Sequence, residues 1–416
     1  MHEKHIPRLF VLLIPVLSVL IICSTRVIAQ VDCPRQPLTD GQLSRCEYAQ
    51  RLRAMWLGEA IANWTGLTTE GVRQDAPFYT DADWTLDQNL SWKMDDVIDF
   101  VLQDPWLADD DTDIEYVYLH LMDQQHNPLL SGDQIAAGWQ AHINDWIWVS
   151  NQQARNLMQL GALPPTTSMG ALNPDYLAID AQLTTELFGA LAPSMPEMAL
   201  QLANLPILTT AGGYAAHAAQ FYVLLYALSS QVDQTLPRSE QVIGLVSGAR
   251  LYIPDTSKSA DIVDFVLADF LSNPDGDDWE RTRDRVYERY HQHAADYGFV
   301  YRDWTESSVN FASGLIALLY GEGDFRRTVQ IGTLTGWDSD NGTATMGGKN
   351  SPTRSVWPLG EESDIAVAVL GRMRRDGAAT EVCALVCARP FHRDLGPLSA
   401  KPRGALPRRQ PLTSPL

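Results

Sequence analysis

Asp109-Asp110-Asp111-Thr112-Asp113-Ile114-Glu115-Tyr116-Val117-Tyr118-Leu119-His120-Leu121 sets the terms for the whole chain. Ile114, Val117, Tyr118 and Leu121 recur at three- and four-residue spacing, which lines one face of an α-helix but not of a strand. Aspartates crowd the start of that helix. Neighbouring carboxylates about 4 Å apart repel by roughly 4 kcal/mol at an effective dielectric of 20. A helix N-terminus offsets part of this, because Asp caps free amides and favours the positive end of the dipole. The same residues are also hard oxygen donors, so capping and cation binding both stay open at this point.

The helical spacing continues outward from there. Phe311, Leu315, Leu318 and Leu319 form a second stripe, and Ala203 to Leu228, rich in Ala and Leu, reads as one long buried central helix. Breaks at Leu163-Pro164-Pro165, Asn173-Pro174-Asp175, Ala192-Pro193, Ile253-Pro254-Asp255 and Asn273-Pro274-Asp275-Gly276 fit helix connections, and none is long enough for an interdomain linker. The expected fold is therefore all-α, a single compact multi-helix domain over residues 33–348. With 416 residues, 45% of them apolar, the chain can bury a sizeable core. Its 31 Lys and Arg against 51 Asp and Glu leave a net charge of -20, which excludes a broad attraction to nucleic acid or anionic membrane. Residues 349–416 differ in kind: 11 basic against 6 acidic side chains, with many Pro and Arg, make a divergent basic tail that supplies little core.

Export is expected from the start of the chain. Lys4 and Arg8 precede an apolar run from Leu9 to Cys23, and Val27-Ile28-Ala29 follows, a secretory signal cleaved after Ala29. An uncleaved membrane anchor is the less favoured alternative, because the run falls short of the roughly 20 residues needed to span and Pro15 interrupts it. A lipoprotein signal at Cys23 is disfavoured by Ile22. The mature protein is then secreted or periplasmic, without stable membrane association. Cys33 and Cys46 are candidates for a disulfide closing a short loop, worth on the order of 3 kcal/mol. Asn63-Trp64-Thr65, Asn89-Leu90-Ser91 and Asn341-Gly342-Thr343 match glycosylation sequons.

A second acidic stretch, Gly336-Trp337-Asp338-Ser339-Asp340-Asn341-Gly342-Thr343, follows an apolar helical segment. Asp-x-Asp sets two carboxylates close together in a turn, and no Glu closes an EF-hand loop. Carboxylates from two helix starts offer the oxygen ligands that Mg²⁺ prefers, and two ions about 3.5 to 4 Å apart can orient a substrate diol. A third element, Met55-Trp56-Leu57-Gly58-Glu59-Ala60-Ile61-Ala62-Asn63, places an acid and small residues inside an apolar helical run.

The order of these three motifs resembles the ADP-ribosylglycohydrolase family, which includes dinitrogenase reductase-activating glycohydrolases and the lens J-crystallins. Gly58-Glu59-Ala60-Ile61-Ala62 is similar to the family's Gly-Asp-Ala-x-Gly, Asp109-Asp110-Asp111-Thr112 to Thr-Asp-Asp-Thr, and Gly336-Trp337-Asp338-Ser339-Asp340-Asn341 to Gly-Gly-Asp-Thr-Asp-Thr. The resemblance covers about Arg51 to Gly348. It implies an all-helical fold with a binuclear cleft for two Mg²⁺, or Mn²⁺, held by Asp110, Asp111, Asp338 and Asp340. Asp109 and Asn341 stand where the family has Thr ligands. It further implies hydrolysis of an N- or O-glycosidic bond to ribose, with an ADP-ribosylated protein or small molecule or a related ribosyl glycoside as substrate, and with Asp111 or Glu59 accepting a proton. A non-catalytic binding or structural role of the J-crystallin kind, and hydrolysis of another nucleoside or glycoside, are the alternatives.

Two departures mark an outlying branch. Ile179-Asp180-Ala181-Gln182-Leu183-Thr184-Thr185-Glu186 stands where the family has Gly-Asn-Gly-x-x-Met-Arg, and Leu208-Thr209-Thr210 where it has Thr-His. Lys349-Asn350-Ser351-Pro352 interrupts the expected final apolar helix, which predicts poor support for the helix carrying Asp338 and Asp340. Among other conspicuous residues, Trp139, Trp146, Trp148, Tyr222 and Tyr226 read as core. His120 and His142 read as helix histidines without a ligand partner, and Asp275, Asp277 and Asp278 as a solvated turn.

Overall fold

The structure, a computed structural model, describes residues 43–85, 97–101, 109–144, 147–273 and 275–350. The proposed export segment 1–29, Cys33, the sequon at Asn89, Trp146 and the tail from Ser351 onward lie outside the described residues. The chain forms α1 (Arg45–Gly66), α2 (Asp110–Gln125), α3 (Gly132–His142), α4 (Val149–Gln159), α5 (Asp180–Leu183), α6 (Leu187–Leu191) and α7 (Pro196–Thr210). It continues with α8 (Gly213–Leu228), α9 (Arg238–Arg250), α10 (Lys258–Ser272), α11 (Trp279–Val286), α12 (Ser307–Gly321), α13 (Phe325–Leu334) and α14 (Ser339–Asn350). No β-strand occurs among the described residues, and the fold is all-α as expected.

The expected single helix from Ala203 to Leu228 is two. α7 ends at Thr210, and Gly212 and Gly213 turn the chain before α8 begins. Gly213 has φ of 56°, in the left-handed region where a side chain is strained. The Gly212 N–H donates to the Tyr176 carbonyl at 2.9 Å, which holds the turn against a neighbouring loop. α8 itself is the central helix, apolar over most of its circumference. Phe221, Tyr222, Leu224 and Leu225 join the core shared by α9, α10, α11 and α12. Ala216, Ala219, Val223 and Ala227 join the second core, which is built with α2, α3, α4 and α7. A helix serving two cores keeps only a narrow polar edge, here His217 and Gln220.

α14 departs most from expectation. It is not poorly supported: every residue from Ser339 to Gly348 is buried. It lies against α1 through small residues at four-residue spacing, Gly58, Ala62 and Gly66, which line one stripe of α1. A β-carbon on Gly66 would stand 2.5 Å from the Asp340 Cα and 2.7 Å from the Ser339 carbonyl oxygen. One on Gly347 would collide with the Ala62 Cβ and stand 2.9 Å from the Gly58 carbonyl oxygen. Ser339 Oγ donates to the Gly66 carbonyl at 3.0 Å and approaches Thr69 Oγ1 at 2.9 Å. The two helices therefore meet backbone to backbone, and the first turn of α14 is fixed on the last turn of α1.

Gly66→Ala should destabilise the protein by about 1 to 3 kcal/mol in urea unfolding, the usual cost of overpacking. Gly244→Ala on α9, where no atom lies within 4 Å of the added carbon, should be neutral or slightly stabilising. Equal stability of the two variants would contradict the close approach of α1 and α14.

Candidate metal centre

The start of α2 is built for acids. Asp109 is its N-cap: the carboxylate accepts from the Asp110 N–H at 3.0 Å, and the Thr112 hydroxyl faces the Asp109 N–H at 3.4 Å, a reciprocal cap. Asp110 and Asp111 follow in the first turn, where the helix dipole favours negative charge. The capping reading of this stretch holds, and it leaves the outer oxygens of Asp110 and Asp111 available for other work.

The start of α14 is shaped by a strained corner. Gly336 has φ of 96° and Trp337 of 56°, the latter unusual for a bulky residue and sustained because Trp337 is wholly buried. The Trp337 ring stands 4.8 Å from that of Phe78. Its carbonyl accepts from the Gly71 N–H at 2.8 Å, and its own N–H donates to the Arg73 carbonyl at 2.9 Å. This pair of bonds ties the loop after α1 to the corner before α14 and brings Glu70 beside Asp338 and Asp340. The Asp338 N–H donates to Asn310 Oδ1 at 3.1 Å, anchoring the same corner to α12.

Each of two acidic groups has carboxylate oxygens within 4.8 Å of one another: Asp109, Asp110 and Asp111 in one, Glu70, Asp338 and Asp340 in the other. Asn63 on α1 stands between them. Its Nδ2 donates to Asp111 Oδ2 at 2.6 Å and lies 3.5 Å from Asp340 Oδ2. The two acidic motifs, far apart in sequence, thus converge on one amide. Asn341, in the first turn of α14, is buried with its Oδ1 free of hydrogen bonds, as are Asp111 Oδ1 and Asp340 Oδ1. No Lys, Arg or His among the described residues forms an ion pair with Asp109, Asp110, Asp111, Asp338 or Asp340.

Burial pushes Asp110, Asp111, Asp338 and Asp340 well above the usual carboxylate range, and their mutual negative charge, with Glu70 and Asp180 nearby, pushes further. Asp180 is driven up to about 6 by burial, although the Asn151 N–H donates to it at 3.0 Å. Carboxylate and amide oxygens with unbonded lone pairs and no thiol or imidazole suit a hard divalent cation, so the donor set fits a magnesium-type ion.

Glu59 lies elsewhere. It groups with Glu115 and Glu186 and belongs to neither aspartate group. Of the sequons, Asn63 is 1% exposed with its Nδ2 committed to Asp111, and Asn341 is buried, so neither amide is presented for glycosylation in the folded chain. Trp139 is core, whereas Trp148 is half exposed. His120 and His142 meet as rings 5.0 Å apart, edge to face. Asp278 caps α11 by accepting from the Arg281 N–H at 3.1 Å, and Asp275 and Asp277 are exposed.

A family model described as ADP-ribosylglycohydrolase matches residues 45–349. The chain belongs to the ADP-ribosylglycohydrolase family. It is a glycosidic hydrolase of that metal-dependent family. A solved structure described as an ADP-ribosylglycohydrolase-related protein complex is similar in fold, with a TM-score of 0.50 at 15% identity, covering 79% of this chain and 98% of that one. No curated protein sequence matches the chain.

Within this family member, reading the sequence missed Glu70, Asn63, Asp180, Glu115 and Glu186. Glu115 follows Asp111 by one helical turn, so the α2 periodicity placed both on one face; its apolar neighbours obscured that. Glu70 left no local signal, because the bonds of Gly71 and Trp337 that position it join segments distant in the chain.

Without metal, the protein should lose stability as pH rises. Asp180 at about 6, Glu186 at about 7 and Glu306 at about 7 are all raised, chiefly by burial. Between about pH 4.5 and 7 each binds more protons folded than unfolded, so the native state weakens as pH increases. Thermal unfolding in EDTA should give a higher midpoint at pH 5 than at pH 8. Asn63→Asp, which adds a buried acid, should lower the midpoint more at pH 8 than at pH 5, and a pH-independent effect would contradict the assignment.

Proposed function

We propose that the protein is a divalent-metal-dependent hydrolase of an N- or O-glycosidic bond to ribose, removing ADP-ribosyl groups from a protein or small molecule. The observation that carries this reading is the convergence of Asp111 and Asp340 on the Asn63 amide, which gathers the two acidic helix starts into one buried cluster. Asp109, Asp110, Asp111, Asp338, Asp340 and Asn341 would hold two Mg²⁺, or Mn²⁺, with Glu70 beside Asp338 and Asp340. The bound ions supply positive charge that orients the ribose hydroxyls and offsets the buried carboxylates.

The protein's own groups then act on water and on the leaving group. The anomeric carbon develops oxocarbenium-like charge as the bond to the leaving atom breaks, and the surrounding carboxylates favour that charge. Asp111, with Oδ1 unbonded, is the proton acceptor for the attacking water; Oδ2 is oriented by the Asn63 amide. Glu59, the other expected acceptor, sits with Glu115 and Glu186, so Asp111 is the assignment we make. The ribosyl group ends with the new hydroxyl, and the departing nitrogen or oxygen takes the proton.

Secretion or transport to the periplasm is part of the same reading, from Met1 to Ala29, and the engagement of Cys46 in a disulfide supports an oxidising compartment. No helix among the described residues is long and apolar enough to cross a membrane.

Asp338→Asn with Asp340→Asn should lower release of ADP-ribose from ADP-ribosylated protein by at least about 100-fold, as should EDTA, with recovery on adding Mg²⁺ or Mn²⁺ only in the unsubstituted protein. Chromatography of the nucleotide product reads both. Full activity in the double variant would overturn the metal centre, and cleavage confined to other ribosides, seen by mass spectrometry, would overturn the substrate class.

A further inference from the structure

Near Asp111 lies a further acidic constellation that the hydrolytic reading does not use. Glu59 of α1, Glu115 of α2 and Glu186, the residue before α6, each present a carboxylate oxygen within 4.8 Å of the others. Each is at most 1% exposed. Two of the three are held in place. The Leu187 N–H donates to Glu115 Oε1 at 2.6 Å, the Thr345 hydroxyl to Glu186 Oε1 at 2.6 Å, and the Thr185 N–H to Glu186 Oε2 at 3.1 Å.

Glu59 is different. Both its oxygens are buried without a hydrogen-bond partner, and Glu115 Oε2 is in the same condition. The phenol of Tyr226 lies close by, but its single proton goes to the Thr345 carbonyl at 2.7 Å. No Lys, Arg or His among the described residues forms an ion pair with any of the three glutamates. A β-carbon on Gly348 would stand 3.4 Å from Glu59 Oε1 and 2.6 Å from the Tyr226 hydroxyl, so this glycine keeps the space around Glu59 open.

Three buried carboxylates side by side, two of them with unbonded oxygens, require positive charge, either protons or a cation. Oxygens on opposite sides of a calcium-sized ion stand about 5 Å apart, and across a magnesium-sized ion about 4 Å, given metal–oxygen distances of roughly 2.3–2.6 and 2.0–2.1 Å. Glu59, Glu115 and Glu186, with oxygens no more than 4.8 Å from one another, lie within the reach of one such ion. We propose that Glu59, Glu115 and Glu186, next to Asp111 but with ligands of their own, form a further binding site for a hard divalent cation that ties α1, α2 and the α6 entry together. Burial raises all three carboxyl groups, and the neighbouring carboxylates raise Glu59 and Glu115 further. The site is structural in role: no path to the outside is needed for substrate, and its ligands come from three separate segments that the ion would staple. It stands independently of the substrate assigned above.

The test uses the full chain, stripped with EDTA and desalted, with Mn²⁺ as the probe and native mass spectrometry and thermal unfolding as readouts. Asp110→Asn, Asp338→Asn and Asp340→Asn together disable the aspartate cluster. That triple variant should still take up one Mn²⁺ and gain melting temperature from it. Adding Glu59→Gln and Glu115→Gln should weaken the remaining uptake at least 10-fold and remove the gain. No uptake by the triple variant, or unchanged uptake after the glutamine substitutions, would overturn the site and assign protons to the glutamates. Circular dichroism in EDTA checks folding, and the glutamine forms should melt no lower than their parent, since they remove buried charge. Should the pair of substitutions fail to fold, Glu59→Gln alone, which leaves every hydrogen bond of the other two glutamates intact, should weaken uptake at least 10-fold, and unchanged uptake would again overturn the site.

Discussion

The backbone contact between α1 and α14 is the constraint on which the rest of the structure depends. Gly58, Ala62 and Gly66 leave no side-chain bulk between the helices, so the Ser339 and Asp340 backbone rests on the end of α1. That approach puts Asn63, one turn before Gly66, between Asp111 and Asp340. It also places the loop after α1 where Gly71 can bond Trp337, which carries Glu70 to the Asp338 corner. A wider helix spacing would separate every one of these groups, because carboxylate chemistry of this kind tolerates displacements of only about an ångström.

The same packing concentrates negative charge where water is excluded. Acids at helix starts are individually favourable, since free amides and the helix dipole stabilise them. Brought together in a buried centre they oppose one another, and Asp110, Asp111, Asp338 and Asp340 rise above their ordinary range. The fold holds this charge in place through bonds that do not depend on the carboxylates themselves: the α8 core on both sides, the Trp337 stack on Phe78, and the Ser339 bond to Gly66. Function and stability pull in opposite directions here, and the apolar framework decides the outcome.

Much of this was legible from the chain alone. The stripe from Ile114 to Leu121 became α2, with the aspartates at its start, and the Asp338 motif likewise opened a helix. The α7–α8 break was written in Gly212-Gly213 but outweighed in reading by the Ala and Leu around it. Support for α14 was not legible, since the unusual composition after Lys349 suggested a missing buttress while the actual one, α1, is the first helix in sequence order. Asn63 carried a local pattern that pointed to glycosylation and a tertiary position that commits its amide to Asp111.

By itself the sequence determined the helical class, the two acidic helix starts and the family, because periodicity, capping and motif order are properties of neighbouring residues. Only the tertiary structure decided that Asn63 joins the two acidic motifs, that Glu70 stands beside Asp338, and that Glu59 groups with Glu115 and Glu186. Those relations depend on the distance and rotation between helices, set by the small-residue seam of α1 and α14, and no single stretch of chain encodes them.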